Sequence, residues 1–247
     1  MSLRAISILL ASIVVLTHLH GVDVWISDLA YDFGTKSWLI DHTDSEWRTV
    51  LYDGPKALLI LFALILIAMV IVPTKRAARL FSRREALFVI ICLAVVPGVV
   101  GMIKQNSGVS CPYSIEHYGG SVANSLGEAH LSSIRNRTQV VGCWPSGHTS
   151  GGFALLALAF LGRSTNTRTT LALGSLTLGS AMGVYQVLRG AHFASHILLT
   201  LCIALLLIAL VQRLLPPGAP YRNAPSPLSL KNFRPQFDGF STTRTSN

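Results

Sequence analysis

The sequence predicts an all-α integral membrane protein with six transmembrane helices. Of its 247 residues, 51% are hydrophobic and only 13% are charged, and the mean hydropathy is +0.51. Long apolar runs recur along the chain, which is the pattern of membrane-spanning helices. The formal net charge of +9 is concentrated beside these runs and in the C-terminal tail. This placement indicates membrane topology and does not indicate nucleic-acid binding.

Each predicted span is an apolar run bounded by polar or basic residues. The six spans are residues 5–16 (extending to about 19), 57–72, 86–103, 153–161 with the turn before it, 171–188 and 193–215. No small-residue cleavage site follows the first run, so we interpret it as a membrane helix and not as a signal peptide. The membrane domain therefore covers residues 1–215, and the Pro- and Ser-rich residues 216–247 form a flexible cytoplasmic tail.

Charge bias orients these spans in the membrane. The basic loops at 74–84 and 163–168 are expected on the cytoplasmic side together with both termini. Seven of the eleven acidic residues lie between residues 23 and 53, so the segment 22–56 and the loop 105–144 are expected outside. Trp25, Trp38 and Trp47 in the first of these segments are typical of an interfacial belt or of short surface helices.

The four cysteines are predicted to be of two kinds. Cys92 and Cys202 lie within apolar runs and are expected to be inert small hydrophobic residues. Cys111 and Cys143 lie at the two ends of the loop 105–144. If this loop faces an oxidising periplasm, the two residues are candidates for a disulfide.

A glycine-rich turn with the sequence C-W-P-S-G-H-T-S-G-G begins at Cys143 and runs into the apolar residues 153–161. Pro145 is expected to open a helix, because the missing N–H of proline costs nothing in a first turn. The unpaired N–H groups that follow lie at the positive end of the helix dipole, an arrangement that favours binding of an anion such as phosphate. His148 adds a titratable group to this turn.

Other ionisable residues lie at the ends of neighbouring spans. Lys104 ends the third span, Arg189 ends the fifth, and His192 and His196 begin the sixth. By the predicted topology these side chains and His148 meet at the outer, periplasmic face. Ionisable groups at membrane depth are functional candidates. Two imidazoles, two cations and a helix N-terminus suit phosphoryl transfer, whereas no P-loop supports an ATP-driven function.

These residues resemble the type 2 phosphatidic acid phosphatase superfamily, which shares its core with vanadium haloperoxidases and bacterial acid phosphatases. The pattern of that family is K-x6-R-P, then P-S-G-H, then S-R-x5-H-x3-D. The P-S-G-H element is complete at residues 145–148, Lys104 precedes it, and G-A-H-F follows at 190–193. The resemblance spans a catalytic core of roughly residues 85–213 and implies six spans in a bacterial inner membrane.

The flanking motifs depart from the family pattern. Cys111 stands where the first arginine is expected, Gln186 stands where the second is expected, and His196 stands where the aspartate is expected. Arg189 lies about one helical turn after Gln186, so it is predicted to reach the same phosphate. Arg135 and Arg137 are further candidates for the missing arginine, although solvated loop charges are the simpler interpretation.

The resemblance also implies a role for each residue of the site. His192 is the nucleophile that forms a phosphohistidine, and His148 is the general acid. Lys104, Arg189, Ser146 and Gly147 bind the phosphate. The orienting role of the aspartate falls to His196, to a backbone carbonyl or to Glu116.

The leading hypothesis is a metal-independent phosphatase without a cofactor. It acts on a membrane lipid phosphate or diphosphate of the undecaprenyl diphosphate, phosphatidylglycerol phosphate, phosphatidate or lipid A type. One alternative is a metal-dependent hydrolase that uses His148, His192 and His196 as ligands. Another is a catalytically weak or inactive lipid-phosphate binder or transporter with the same fold.

Overall fold

The computed structural model describes residues 20–41, 45–72, 80–122 and 142–217, with positions 8, 9, 12, 15 and 74. Several predictions fall wholly or largely outside these residues. They are the first span, the interior of the basic loop at 74–84, the candidates Arg135 and Arg137, and the flexible tail.

Four helices in the described part of the chain are long and apolar enough to cross a membrane. They are Glu46–Ile71, Arg83–Asn106, Thr165–Leu188 and Ala194–Leu214. The first of them consists of helix α2 (Ser45–Arg48), a π-helical turn (Thr49–Asp53) and helix α3 (Gly54–Ile71). The other three are called α4, α6 and α7 below. The bounds of α3, α4 and α7 lie within three residues of those of the predicted spans. Helix α6 ends at the predicted residue but starts six residues earlier.

The predicted fourth span is shorter than a membrane-spanning helix. Helix α5 covers Gly147–Ala154 and continues as the 3₁₀ helix Leu155–Leu161, which gives 15 residues in all. At 1.5 to 2.0 Å of rise per residue, this segment is shorter than the roughly 30 Å of a hydrocarbon core. The predicted count of six spans is therefore not confirmed.

Helix α5 lies inside the bundle. Phe153 and Ala154 are buried with Phe88 of α4 and Ile208 of α7 in one apolar core. A Cβ atom on Gly152 would lie 2.7 Å from the Cα atom of Gly179 in α6. Small residues at a helix contact allow the backbones to approach this closely. The glycine-rich sequence after His148 therefore serves the packing of α5 against α6.

The segment before the membrane helices forms a small folded cap. It contains helix α1 (His20–Asp28) and the strands β1 (Tyr31–Asp32) and β2 (Ser37–Trp38), which pair antiparallel. This hairpin is an exception to the all-α prediction. It forms because the Asp32 carboxylate accepts hydrogen bonds from the N–H groups of the turn, as Asp side chains commonly do in tight turns.

The cap is held against the bundle by aromatic side chains. Tyr31 and Trp38 pack against Tyr118, and all three belong to a cluster that includes Phe193 at the start of α7. Two 3₁₀ turns, Pro112–Ser114 and Glu116–Tyr118, carry Tyr118. Trp25 and Trp47 are exposed, whereas Trp38 is half-buried against protein. Trp38 therefore packs within the cap, and the interfacial position of the three tryptophans stays a prediction.

Candidate active site

The predicted catalytic and substrate-binding residues lie together at one end of the helix bundle. At this end α4 and α6 finish and α5 and α7 begin. Lys104 lies in the last turn of α4, Ser146 to His148 start α5, Arg189 ends α6, His192 lies in the connecting loop, and His196 is in the first turn of α7. Each predicted residue of the site thus lies at or near the end of a helix, where backbone N–H or C=O groups have no hydrogen-bond partner within the helix.

The start of α5 differs from the sequence prediction. The helix begins at Gly147 with Ser146 as its N-cap, so Pro145 precedes the helix and does not open it. The backbone N–H of Ser146 donates to the Thr200 hydroxyl of α7 at 2.9 Å. The Ser146 hydroxyl caps no backbone N–H. Among the described residues, no side chain caps the first turn of α5 and the Ser146 hydroxyl has no partner. A helix start of this kind favours an anion.

The three histidines form a row. The ring centroids of His148 and His192 are 5.6 Å apart, and those of His192 and His196 are 5.9 Å apart. His192 and His196 are fully buried, whereas His148 is half-buried. Burial, followed by the neighbouring His196, His148 and Lys104, lowers the pKa of His192 well below its usual value. His192 is therefore held neutral, the form in which an imidazole is nucleophilic.

The ring of His192 is oriented by the backbone. One nitrogen of the ring is hydrogen-bonded to the backbone of Cys143. This bond raises the pKa of His192, so the ring donates and the Cys143 carbonyl accepts. Its Nδ1 atom has no hydrogen-bond partner among the described residues. One ring nitrogen is thus fixed as a donor while the other keeps its lone pair. This is the backbone-carbonyl option for replacing the family aspartate.

The other options for that role receive less support. His196 contacts His192 through its ring and also packs on Phe193. Glu116 is exposed, and no hydrogen bond or ion pair joins it to His192 within the described part of the chain.

Several residues in this part of the bundle have buried polar atoms without a hydrogen-bond partner in the described part of the chain. In the described residues these are Ser146 Oγ, His148 Nδ1, Gln186 Nε2 and His192 Nδ1. Buried polar atoms in proteins are hydrogen-bonded in the great majority of cases, so four exceptions at one place need an explanation. A phosphate, which carries several acceptor oxygens, would satisfy the hydroxyl and amide donors. Gln186 lies where the family has arginine, and its amide would supply a neutral donor in that place.

Two cations flank the histidines. A Cβ atom on Gly147 would lie 3.9 Å from Cδ of Lys104, so the lysine side chain runs past the start of α5. The Arg189 guanidinium donates to the Tyr185 hydroxyl at 3.2 Å and lies 5.4 Å from the centroid of its ring. Burial, followed by the charges of Lys104 and Arg189, lowers the pKa of His148 to about 4, and an anion bound beside the two cations would raise this pKa again. Cations in such positions can balance the charge of a bound anion.

The loop that carries His192 is held by residues from distant parts of the sequence. Gly190 has a φ of +65°, and a Cβ atom at this position would lie 2.1 Å from the Trp38 ring. The Gly190 carbonyl accepts from the N–H of Tyr113 at 2.9 Å. The Cys143 sulfur lies 3.0 Å from the Ala191 carbonyl oxygen. Only glycine fits this backbone and this contact.

Cys143 is joined to Cys111 by a disulfide in the structure, with a Cα–Cα distance of 5.2 Å. This disulfide links the first residues of the loop after α4 to the turn before α5. Cys92 and Cys202 are free and buried.

Sequence reasoning missed Asp23 of α1. Its carboxylate is 4% exposed and accepts hydrogen bonds from both the N–H and the hydroxyl of Ser195, in the first turn of α7. It therefore acts as the anionic partner of a helix N-terminus. Nothing in the pattern of the acidic segment distinguishes Asp23 from its exposed neighbours. His117 pairs with Asp28 of α1 at 3.0 Å.

A cavity of about 440 Å³ adjoins His148 and extends between the helices. Its polar end is lined by Tyr52, Lys56, Lys104 and His148. Its other end is apolar and is lined by Leu59, Ile60, Ala63, Leu93, Pro97 and Met182. Helix α3 forms one wall, and few of its residues are buried against the rest of the protein. The cavity thus combines a cationic end with an apolar end between membrane-length helices.

Among the described residues, no group of three or more His, Cys, Asp or Glu side chains is arranged to hold a metal ion.

Comparison with known proteins assigns the core of the chain to a family. Residues 85–217, which contain all the predicted catalytic and substrate-binding residues, match the model of the PAP2 superfamily. No curated protein and no solved structure gives a significant match. Because the matched segment covers more than half of the chain and contains the P-S-G-H turn with its lysine and second histidine, the protein belongs to the PAP2 superfamily.

Proposed function

We propose that this protein is a metal-independent phosphatase that hydrolyses a membrane lipid phosphate or diphosphate through a phosphohistidine intermediate. Membership of the PAP2 superfamily suggests a phosphatase-type activity. The observation that carries the more specific proposal is the row of His148 and His192, 5.6 Å apart, beside buried donors that have no protein partner.

In the proposed reaction the neutral His192 attacks phosphorus from one side. Its free nitrogen supplies the lone pair, while the backbone of Cys143 holds the other nitrogen. Lys104, Arg189 and the first turn of α5 stabilise the charge on the non-bridging oxygens. His148, on the opposite side, donates a proton to the leaving oxygen. Water then cleaves the phosphohistidine and releases phosphate.

The cavity supports a lipid as the substrate. Its polar end contains Lys104 and His148, and its apolar end is bounded by Leu59, Ile60 and Ala63 of the lipid-exposed helix α3. A phosphate head would lie at the histidines while an acyl or prenyl chain extends along the apolar side chains. The predicted topology places this site at the periplasmic face of a bacterial inner membrane, with both termini in the cytoplasm.

The test is phosphate release by the purified protein in detergent, with EDTA present, from a panel of lipid phosphates and diphosphates. His192→Ala is expected to abolish release, and His148→Ala to lower it about 10²- to 10⁴-fold, the usual contribution of a general acid. His117→Gln is the matched control, because it changes a histidine that pairs with Asp28 outside the site. Full activity in His192→Ala would refute the proposal.

A lipid-phosphate binder without turnover is the second candidate. It is favoured by Gln186 and His196, which replace the arginine and the aspartate of the family with neutral side chains. Binding of lipid phosphates that survives His192→Ala, with no phosphate release by the wild type, would support this candidate.

A further inference from the structure

Two cavity residues, Tyr52 and Lys56, come from outside the segment that matches the family. They lie one helical turn apart, Tyr52 in the π-helical turn and Lys56 in α3. The Tyr52 ring centroid is 4.6 Å from that of His148, and the Lys56 ammonium is 5.7 Å from the centroid of the Tyr52 ring. Both line the cavity with Lys104.

Lys56 adds an unneutralised charge to this end of the cavity. Within the described residues, no carboxylate lies within ion-pair distance of its ammonium group, whereas the nearby Arg48 is paired with Asp53 at 3.3 Å. Lys56 and Lys104 both act electrostatically on His148. Two like charges that line one cavity repel each other unless an anion lies between them. The cavity therefore favours a ligand with more than one negative charge.

The ring contacts show on which side of His148 the charge of Lys56 lies. His148 contacts both His192 and Tyr52, and no ring contact joins Tyr52 to His192 in the described part of the structure. If His192 attacks phosphorus in line, the leaving oxygen lies on the side of His148. The group attached to that oxygen then continues toward Tyr52 and Lys56, and beyond them toward Leu59 and Ile60 of the apolar end.

We propose that Tyr52 and Lys56 form a leaving-group subsite that binds a second phosphate, so that the preferred substrate is a lipid diphosphate. This inference rests on the proposed phosphatase function and specifies its substrate class. Lys56 contacts the phosphate that remains on the lipid, while Lys104 and Arg189 contact the phosphate that is removed.

The bonds and protons of this reaction balance without any co-reactant except water. The His192 nitrogen forms a bond to the terminal phosphorus, and the bond from that phosphorus to the bridging oxygen breaks. The bridging oxygen takes the electron pair and the proton from His148, and the lipid monophosphate leaves. Water then attacks the phosphohistidine and gives one proton to His148, and the bond between phosphorus and the His192 nitrogen breaks. This releases inorganic phosphate and regenerates both the neutral imidazole of His192 and the protonated His148.

The experiment compares three substrates in the same detergent micelles. They are a prenyl diphosphate, the prenyl monophosphate of equal chain length, and phosphatidylglycerol phosphate, whose second charge is a phosphodiester remote from the leaving oxygen. The wild type is expected to prefer the diphosphate in kcat/KM. Lys56→Gln is expected to lower the ratio of diphosphate to monophosphate kcat/KM about tenfold, the value of one hydrogen bond to a charged group.

Lys56→Arg is expected to restore most of that ratio, because it keeps the charge. Arg84→Gln is the matched control: it removes an exposed cation at the opposite end of α4, about 30 Å from Lys104 by helical rise, and should leave the ratio at the wild-type value.

Three results separate the failures. An active wild type whose ratio is unchanged by Lys56→Gln overturns the subsite and leaves the phosphatase proposal standing. A Lys56-dependent preference for phosphatidylglycerol phosphate overturns the diphosphate assignment. A wild type that releases phosphate from no substrate, while binding lipid phosphates, overturns the proposed function and the subsite with it.

Discussion

The two histidine-bearing segments are held in place in different ways. His148 lies in the first turn of a helix whose sides are packed in the core, and Ser146 before it is fixed by Thr200 of α7. His192 lies in a loop that is held from outside by Trp38, Tyr113 and Cys143. Thr200, which fixes the start of the first segment, lies in the region that matches the family, whereas Trp38, which holds the second, lies before that region.

This difference shows that the family core does not complete the site by itself. The N-terminal cap supports the loop of His192 through Trp38, and it supports the start of α7 through Asp23. Damage to the cap should therefore affect His192 more than His148. Three substitutions test this comparison, in order of decreasing expected effect.

Gly190→Ala should have the largest effect. The new Cβ atom would meet the Trp38 ring at 2.1 Å, and the φ of +65° is unfavourable for alanine. We expect a loss of about 3 kcal/mol or more in the free energy of unfolding and a loss of phosphate release, measured by thermal unfolding in detergent and by the assay above. Gly174→Ala is the control, since its Cβ atom would meet nothing within 4 Å. Equal stability of the two variants would contradict the described packing of the loop.

Asp23→Ala should have an intermediate effect. It removes the buried carboxylate that accepts from the N–H and the hydroxyl of Ser195. Leaving these donors buried without a partner costs about 2–4 kcal/mol, which thermal unfolding would report. Because Ser195 lies close after His192, kcat should fall more than the affinity for substrate. Asp23→Asn, which keeps one acceptor oxygen, should lie between Ala and the wild type; no difference between Asn and Ala would argue against the hydrogen bond as the cause.

Thr200→Val should have the smallest effect of the three. It removes the hydroxyl that accepts from the N–H of Ser146 at 2.9 Å, while the rest of α5 remains packed. The expected cost is about 1–2 kcal/mol, with a modest fall in phosphate release. Thr200→Ser keeps the hydroxyl and should behave like the wild type. If Thr200→Val were more damaging than Asp23→Ala, the comparison of the two segments would be reversed.

Local patterns in the sequence predicted much of the fold. The apolar runs located α3, α4, α6 and α7, because hydropathy over 20 residues is a property of neighbouring positions. The same reasoning wrongly predicted that α5 and the 3₁₀ helix after it span the membrane, since an apolar helix buried in protein and one exposed to lipid can have the same composition. Pro145 was placed inside the helix because the rule for proline does not fix the starting residue to within two positions.

The residues of the candidate site were also predictable as far as they lie in short motifs. P-S-G-H names Ser146, Gly147 and His148 directly, and the spacing after α6 names His192. The orientation of His192 was left open between His196, a backbone carbonyl and Glu116. The structure provides the backbone of Cys143, a residue 49 positions away that no local spacing could identify.

By itself the sequence determined that the chain has apolar helices of membrane-spanning length and that cationic and imidazole side chains lie at the ends of several of its helices. It could do so because helix ends, apolar runs and the P-S-G-H turn are encoded by residues close to one another. Only the tertiary structure decided that Asp23 meets Ser195, 172 positions later, that Trp38 covers Gly190, and that the ring of Tyr52 contacts the ring of His148. These contacts depend on how the cap and α3 dock against the bundle, which is set by packing of the whole molecule and leaves no periodic signal in the chain.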